Sequence, residues 1–366
     1  MKITVLNTTE KLYHYRKSWK RLVLQCPRAT VFQTWEWAYR WWETFSSGKK
    51  LFVLVFDNDK GDTVGIAPLY KRKRRFGIRI MCSIEFLGSG EMKNSEYLDL
   101  LISTGNEEKT IKCFFSYLKQ QNKEWDCIYL TNCRENSLVS ENFIHLLKSA
   151  KLPWIQENNM PCPFIKLPST MDELLKRFKA KARYNIRNEC NKLFDKHNVN
   201  IYRCFKKNDI DKTVDLLFEL HRIRFGDNSV FYSNKNREFF KTVSNDFLDE
   251  NILRLYIMEI DGEPAAAIYG LLYGSSFIDY QNGFNTKWTK MNAAKVLMCK
   301  TIESVINESV EVFDFGRGTE QYKLHWSKEL ENTYDFLIFK CKFQKSLFNN
   351  QKKIYKRLKS LLTALK

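Results

Sequence analysis

The sequence lacks any long apolar run: its longest strand-like stretch is LFVLVF at Leu51 to Phe56, where a membrane-spanning helix needs roughly 18 apolar residues. Polar and charged residues break MKITVLNTTEKLYHYRKSW at the N-terminus, where a secretory signal needs an unbroken apolar core. These two absences predict a cytoplasmic protein, with peripheral attachment to the inner face of a membrane left open. Ten cysteines are present, but none has the C-x-x-C spacing of a zinc site, so they read as reduced core residues and no metal is expected. G-x-S-x-G, H-E-x-x-H, P-loop and kinase signatures are also missing, which removes the commonest hydrolases, zinc proteases and nucleotide phosphotransferases.

What is present suits a globular chain of about two domains: 366 residues, 44% hydrophobic and 14% aromatic, enough to fill two cores. The 60 Lys and Arg outnumber the 42 Asp and Glu, for a net charge of +18. That field favours anionic partners such as nucleotide phosphates, tRNA, acidic lipids or acidic polysaccharides. Solvated lysines on ordinary surface are the plainer account of the same excess.

Along the chain, a strand near Ile3 to Leu6 leads to an amphipathic helix carrying Tyr15, Trp19, Leu22 and Val23. A second helix follows in FQTWEWAYRWWETF, capped by Thr34; its aromatics read as an anchor on a sheet or as the wall of a cleft. The segment LFVLVFDNDKGDTVGIAPLYKRK reads as a hairpin. The five cations Lys71 to Arg75 after it read as an exposed strand end or loop, either solvated or in contact with phosphate. A helix near Glu108 to Asn122 and a strand from Asp126 to Leu130 close a first αβ half over residues 1–160.

Pro161 and Pro163 mark the junction. Ser169 or Thr170 then caps one long basic helix, MDELLKRFKAKARYNIRNECNKL. A strand, two helices and a second hairpin with its turn at Asp261-Gly262 follow. A helix from about Asn292 and strands at Glu311 to Phe315 and Tyr334 to Lys340 complete a second half over 161–340. The two halves repeat an order of elements rather than a set of letters. Residues 341–366 carry eight cations and no acid with helical apolar spacing, a basic amphipathic helix that either packs on the body or lies on an anionic surface.

Two segments offer chemistry. In VFDFGRGTEQYKLHW (Val312 to Trp326), a strand runs into the turn Gly316, Arg317, Gly318, followed by acid, base and cation within one loop. At Lys290 to Ala294, small residues open a helix whose N–H groups and positive dipole end suit a pyrophosphate. Each segment has an ordinary structural account as well, as a turn after a strand and as a capped helix.

The ordered segments RYNIRNECNKL, FELHRIRFG, RLYIMEIDGEPAAAIYGLLYG, YQNGFNTKWTKMNAAKVLMCKTIESV and FDFGRGTEQYKLHW resemble the GNAT-like acetyltransferase domain of the CelD type. That group is related to the Fem peptidoglycan aminoacyl transferases. The resemblance covers about residues 165 to 340, and WEWAYRWW and APLYKRK look like the family's N-terminal region. It implies a mixed α/β fold of two tandem GNAT-like halves, each a mixed sheet flanked by helices. It also implies an acyltransferase using acetyl-CoA or another acyl-CoA, with an amine or hydroxyl of an envelope or exopolysaccharide precursor as acceptor. The family's Ser-Pro-Gly-like stretch before the long helix is replaced here by Lys290, Met291, Asn292, Ala293 and Ala294. By this resemblance His221 or Asp314 serves as base, Tyr280 or Tyr322 as proton donor to the leaving thiolate, and Lys323 as electrostatic clamp. Lys290, Asn292, Ala293, Ala294, Gly316, Arg317 and Gly318 would hold the donor. Two other readings remain: a Fem-like transferase taking aminoacyl-tRNA, and a non-catalytic module binding polysaccharide or membrane.

Overall fold

The computed structural model describes residues 1–350 except 77–78, 91–94, 228 and 230. The fold is mixed α/β, in two compact units: Met1–Asn159 together with the chain from Asn332 onward, and Met160–Glu331. The expected boundary at residue 340 is therefore corrected. Thr333–Phe339 pairs antiparallel with both Cys127–Arg134 and Trp154–Asn158, so it is an interior strand of the first unit. The expected helix over 341–366 lies outside the described residues beyond Asn350.

Both units start from one antiparallel pattern. In the second, Val199–Arg203, Leu253–Ile260, Glu263–Tyr273 and Ser276–Phe284 pair in that order, and the helix Ala293–Asn307 leads to the next strand, Val312–Asp314. In the first, Lys2–Leu6, Val53–Asp57, Thr63–Ala67 and Leu101–Ile102 do the same, and the helix Glu107–Gln120 leads to Cys127–Arg134. The units differ at the fifth strand. Val312–Asp314 joins Ser276–Phe284 in parallel, whereas in the first unit the hairpin Leu69–Phe76/Arg79–Phe86 supplies the parallel partner of Cys127–Arg134. The first unit's strands consequently form two sheets, of four and six strands, and the second unit's form one of seven.

Helices cover both faces of the seven-stranded sheet, so its central strands are buried on both sides. Ala266 and Ile268 pack with Val296 and Ile302 of Ala293–Asn307, while the intervening direction of the pleat carries Tyr269 to Phe240, rings edge-on at 5.1 Å. The helix Lys207–Phe225 approaches Ser276–Phe284 at Gly283, where an added Cβ would stand 2.5 Å from the backbone nitrogen of His221. Neither backbone yields easily. We therefore expect Gly283→Ala to cost about 1–3 kcal/mol, read as a lower urea midpoint at unchanged slope.

Three local expectations are revised. The long basic helix is two helices, Met171–Lys176 and Ala180–Lys196, because Lys179 is extended (φ −57°, ψ 148°) and Phe178 turns onto Trp326, rings 5.8 Å apart. The cation run occupies the middle of the strand Leu69–Phe76, where pleat alternation sends Arg72 and Arg74 to the buried Glu85 at 2.9 and 3.3 Å. Lys71 sits over the Phe52 ring and meets Glu124 at 2.5 Å. Of the ten free cysteines, Cys82, Cys113 and Cys190 are half-buried and Cys341 is exposed. The tryptophan helix Trp35–Phe45 packs inward: Trp37 is fully buried and its indole donates to Ser95 Oγ at 2.7 Å. Among the described residues no helix is long and apolar enough to cross a membrane.

Candidate active site

The parallel pairing of Ser276–Phe284 with Val312–Asp314 ends at Ile278 and Asp314. Beyond that point one strand continues to Phe284 while the other gives way to the Gly316–Gly318 turn. The edge from Asp279 to Phe284 thus has no strand beside it among the described residues. The Asn282 N–H on this edge meets the neighbouring Gln281 Oε1, at 3.3 Å. A cavity of about 240 Å³ opens here, walled by Asn282–Phe284, Tyr322, His325, Trp326 and the start of Ala293–Asn307.

That helix start leaves its positive dipole end uncovered by any acid of its own first turn. Asn292 takes the left-handed conformation (φ 55°, ψ 32°) at the N-cap and spends no side-chain hydrogen bond on the cap. It adopts a glycine-like backbone, which asparagine tolerates better than other side chains, at the place where the family pattern leads one to expect glycine. The first intrahelical bond runs from Val296 N–H to Asn292 C=O, leaving the N–H groups of Ala293, Ala294 and Lys295 without helical partners. No acid lies in this first turn. The corresponding helix of the first unit begins with Glu107 and Glu108, carboxylates that occupy the same dipole end themselves.

The sequence candidates fall into three groups. Asn292, Ala293, Ala294 and Tyr322 line the cavity. Asp314, Gly316, Arg317, Gly318 and Lys323 form one braced turn: Gly316 N–H donates to Asp314 Oδ1 at 2.7 Å, Gly318 N–H to Pro161 C=O at 3.0 Å, and Lys323 Nζ to Arg317 C=O at 2.6 Å. Lys323 Nζ also meets Glu320 at 3.0 Å, so in this structure it ties down the turn. Lys290, exposed on the short turn Thr286–Met291, is outside the cavity wall, as are His221 and Tyr280. His221 lies between Phe225 and Phe231, ring centroids 4.5 and 4.7 Å away. Burial and Arg224 hold its imidazole down to about 4, and its Nδ1 is buried without a hydrogen-bond partner among the described residues. Tyr280 stacks on Phe240 at 5.8 Å.

Asp279 is the residue the sequence reading missed. It sits where the strand loses its parallel neighbour, beside the bulge at Tyr280. Burial lifts its carboxyl to about 7, with Asp314 adding to the rise and Lys323, Asn282 and Arg224 opposing it. Among the described residues Oδ1 has no hydrogen-bond partner; Oδ2 faces Asn282 Nδ2 at 3.4 Å. The same amide nitrogen lies 3.3 Å from the Tyr322 hydroxyl, and Arg224 donates to Asn282 Oδ1 at 2.8 Å. Burial and the nearby Asp279 raise Tyr322 above the ordinary phenol range, so it is a protonated donor at neutral pH. The available signal was one carboxylate inside the apolar strand FIDYQNGF. Asp279 itself is buried behind the cavity wall, and Asn282, which lines it together with Tyr322, stands between the carboxyl and the phenol.

Similar folds occur among solved structures. FemX superimposes with a TM-score of 0.60 at 10% identity, over 91% of this chain and 97% of that one. A conserved protein of unknown function from Bacteroides thetaiotaomicron gives 0.59 at 13% identity, over 93% and 100%. The C-terminal domain of an Agrobacterium fabrum protein assigned as a lysylphosphatidylglycerol synthetase gives 0.55 at 8%, over 94% and 96%. Comparison with curated protein sequences gives no match. Residues 180–324, all within the second unit, match the family model described as an acetyltransferase (GNAT) domain.

Proposed function

We propose that the second unit transfers an acyl group from a coenzyme A thioester to an amine or hydroxyl of an envelope or exopolysaccharide precursor, as enzymes of the CelD type are expected to do. The observation that carries this reading is the free strand edge from Asp279 to Phe284, which opens beside an acid-free helix N-terminus. An extended donor arm with amide groups can add to such an edge by backbone hydrogen bonds, with its phosphates at the N–H groups of Ala293 to Lys295. The acceptor then attacks the thioester carbonyl carbon. Its proton passes to Asp279, directly or through one water. As the C–S bond breaks, the Tyr322 hydroxyl protonates the sulfur. Lys323 and Asp314 support the step by fixing the turn that positions Tyr322.

A second reading takes aminoacyl-tRNA as donor. It is favoured by the helix Ala180–Lys196, which exposes Lys181 and Lys192 on one side while Ile186 and Cys190 line the cavity on the other; the fold shared with FemX is compatible with it. Thermal-shift measurements with coenzyme A, its thioesters and bulk tRNA separate the two, because a ligand of the folded state raises the melting temperature with concentration. We expect thioesters to raise it and to release free thiol when an acceptor amine is supplied. Salt-sensitive tRNA binding with no response to coenzyme A would reverse the choice of donor.

A further inference from the structure

The cavity wall has two parts. At the strand edge stand Asn282, Asn292, Lys295 and Tyr322, the polar groups already assigned to the donor. The other part is formed by Ala266 and Ile268, Val296 and Cys299, and Ile186 and Cys190. Ala266 and Ile268 lie on Glu263–Tyr273, one strand further into the sheet, paired with Phe284 and Asn282. Neighbouring strands are about 4.8 Å apart, so this part branches off the line that an extended donor follows along the edge. It runs beneath the helix as far as Cys299, six residues from Ala293, or about 9 Å at 1.5 Å per residue.

The branch is lined mostly by hydrocarbon and thiol groups of the second unit's main core, and the one carboxylate beside them, Glu189, is paired with Lys295 at 3.5 Å. Protein interiors leave few voids larger than a water molecule, and apolar voids weaken the fold unless something occupies them. An acetyl group would fill little of it. A phosphate or sugar would lose its hydration there without finding hydrogen-bond partners.

We propose that the branch holds the acyl group of the donor and that this group is an aliphatic chain of medium length. The proposal rests on the thioester reading above. With a chain carbon taking about the volume of a water molecule, ~30 Å³, the whole cavity of about 240 Å³ sets a ceiling of about eight carbons, and the share taken by its polar end places the chain below it. Chains within that length gain affinity as each methylene leaves water, about three- to fourfold per carbon, and longer chains gain nothing further.

The test is a binding series on the intact protein: coenzyme A, then acetyl-, butyryl-, hexanoyl-, octanoyl- and dodecanoyl-coenzyme A, by calorimetry without acceptor. The expected result is a stepwise rise from acetyl that reaches its plateau no later than octanoyl. Ala266→Phe, with folding checked by its melting curve, should bring the plateau forward to about butyryl. Independently of that variant, octanoyl-coenzyme A but not coenzyme A should shield Cys190 from maleimide, read by peptide mass spectrometry. Equal affinity across the series, or weaker binding of longer chains, overturns the acyl branch while coenzyme A binding leaves the donor reading intact. Failure of coenzyme A and all its thioesters to bind overturns the thioester reading and this proposal with it. If coenzyme A alone is too weak to detect but affinity climbs along the series, both stand.

Discussion

Asp279→Asn lowers kcat by about 10²–10⁴-fold, the range expected for loss of a general base, and leaves donor affinity nearly unchanged. The pH profile makes the prediction specific. A base with a pKa of about 7 must be deprotonated to act, so wild-type kcat/KM should fall about tenfold per pH unit below 7 and level off above it, and the asparagine variant should lose that limb. Stability runs the other way. The carboxyl is raised from 3.8 to about 7, so between these values the folded chain holds a proton that the unfolded chain has released. This group's contribution to stability is complete below the lower value and is lost as pH rises to the upper one. At pH 8 the asparagine variant should therefore be more stable than wild type, by an amount on the order of a few kcal/mol, although it is the less active protein. A variant that is both inactive and less stable at pH 8 would indicate a structural role for Asp279.

Ala294→Glu weakens binding of the donor by about 10- to 30-fold, from the loss of favourable helix-dipole interaction and the added charge repulsion near the phosphates. Titration of coenzyme A in low salt gives the size of the effect. Raising the ionic strength should shrink it. Ala294→Gln provides the control for side-chain bulk and should cost much less. The substitution copies what the first unit already has at Glu107 and Glu108, which accounts for placing the donor in the second unit only. Equal loss in the glutamate and glutamine variants would point to steric blockage and count against an anion at this helix end.

Much of the second unit was legible because its signals are local. Asp261 and Gly262 both have positive φ in the turn between Leu253–Ile260 and Glu263–Tyr273, as Asp-Gly between two apolar alternations predicts. Thr170 accepts from Glu173 N–H as an N-cap, and the helix predicted from about Asn292 begins at Ala293. What escaped depends on distant partners. Five adjacent cations suggest mutual repulsion and exposure, unless Glu85 is known to lie on the neighbouring strand. Asp279 reads as one polar residue in a strand. Its significance comes from the point where Val312–Asp314 stops pairing and from Lys323 and Asp314, more than thirty residues further along. His221 and Tyr280 carry suitable functional groups, but their neighbours are aromatic rings, and no spacing rule reveals that.

The return of Thr333–Phe339 to the first unit bears on the order in which the protein is made. Within the six-stranded sheet this strand lies between Cys127–Arg134 and Trp154–Asn158, and it is the only strand on which the latter is hydrogen-bonded among the described residues. Asn159 N–H donates to Thr333 C=O at 2.8 Å, so the chain leaves the first unit and re-enters it at adjacent points. On the ribosome all of Met160–Glu331 is synthesised before that strand exists. Domains usually complete in order from the N-terminus during synthesis; here the second unit has its full sequence first, and the N-terminal unit waits with an open sheet edge until translation passes Phe339.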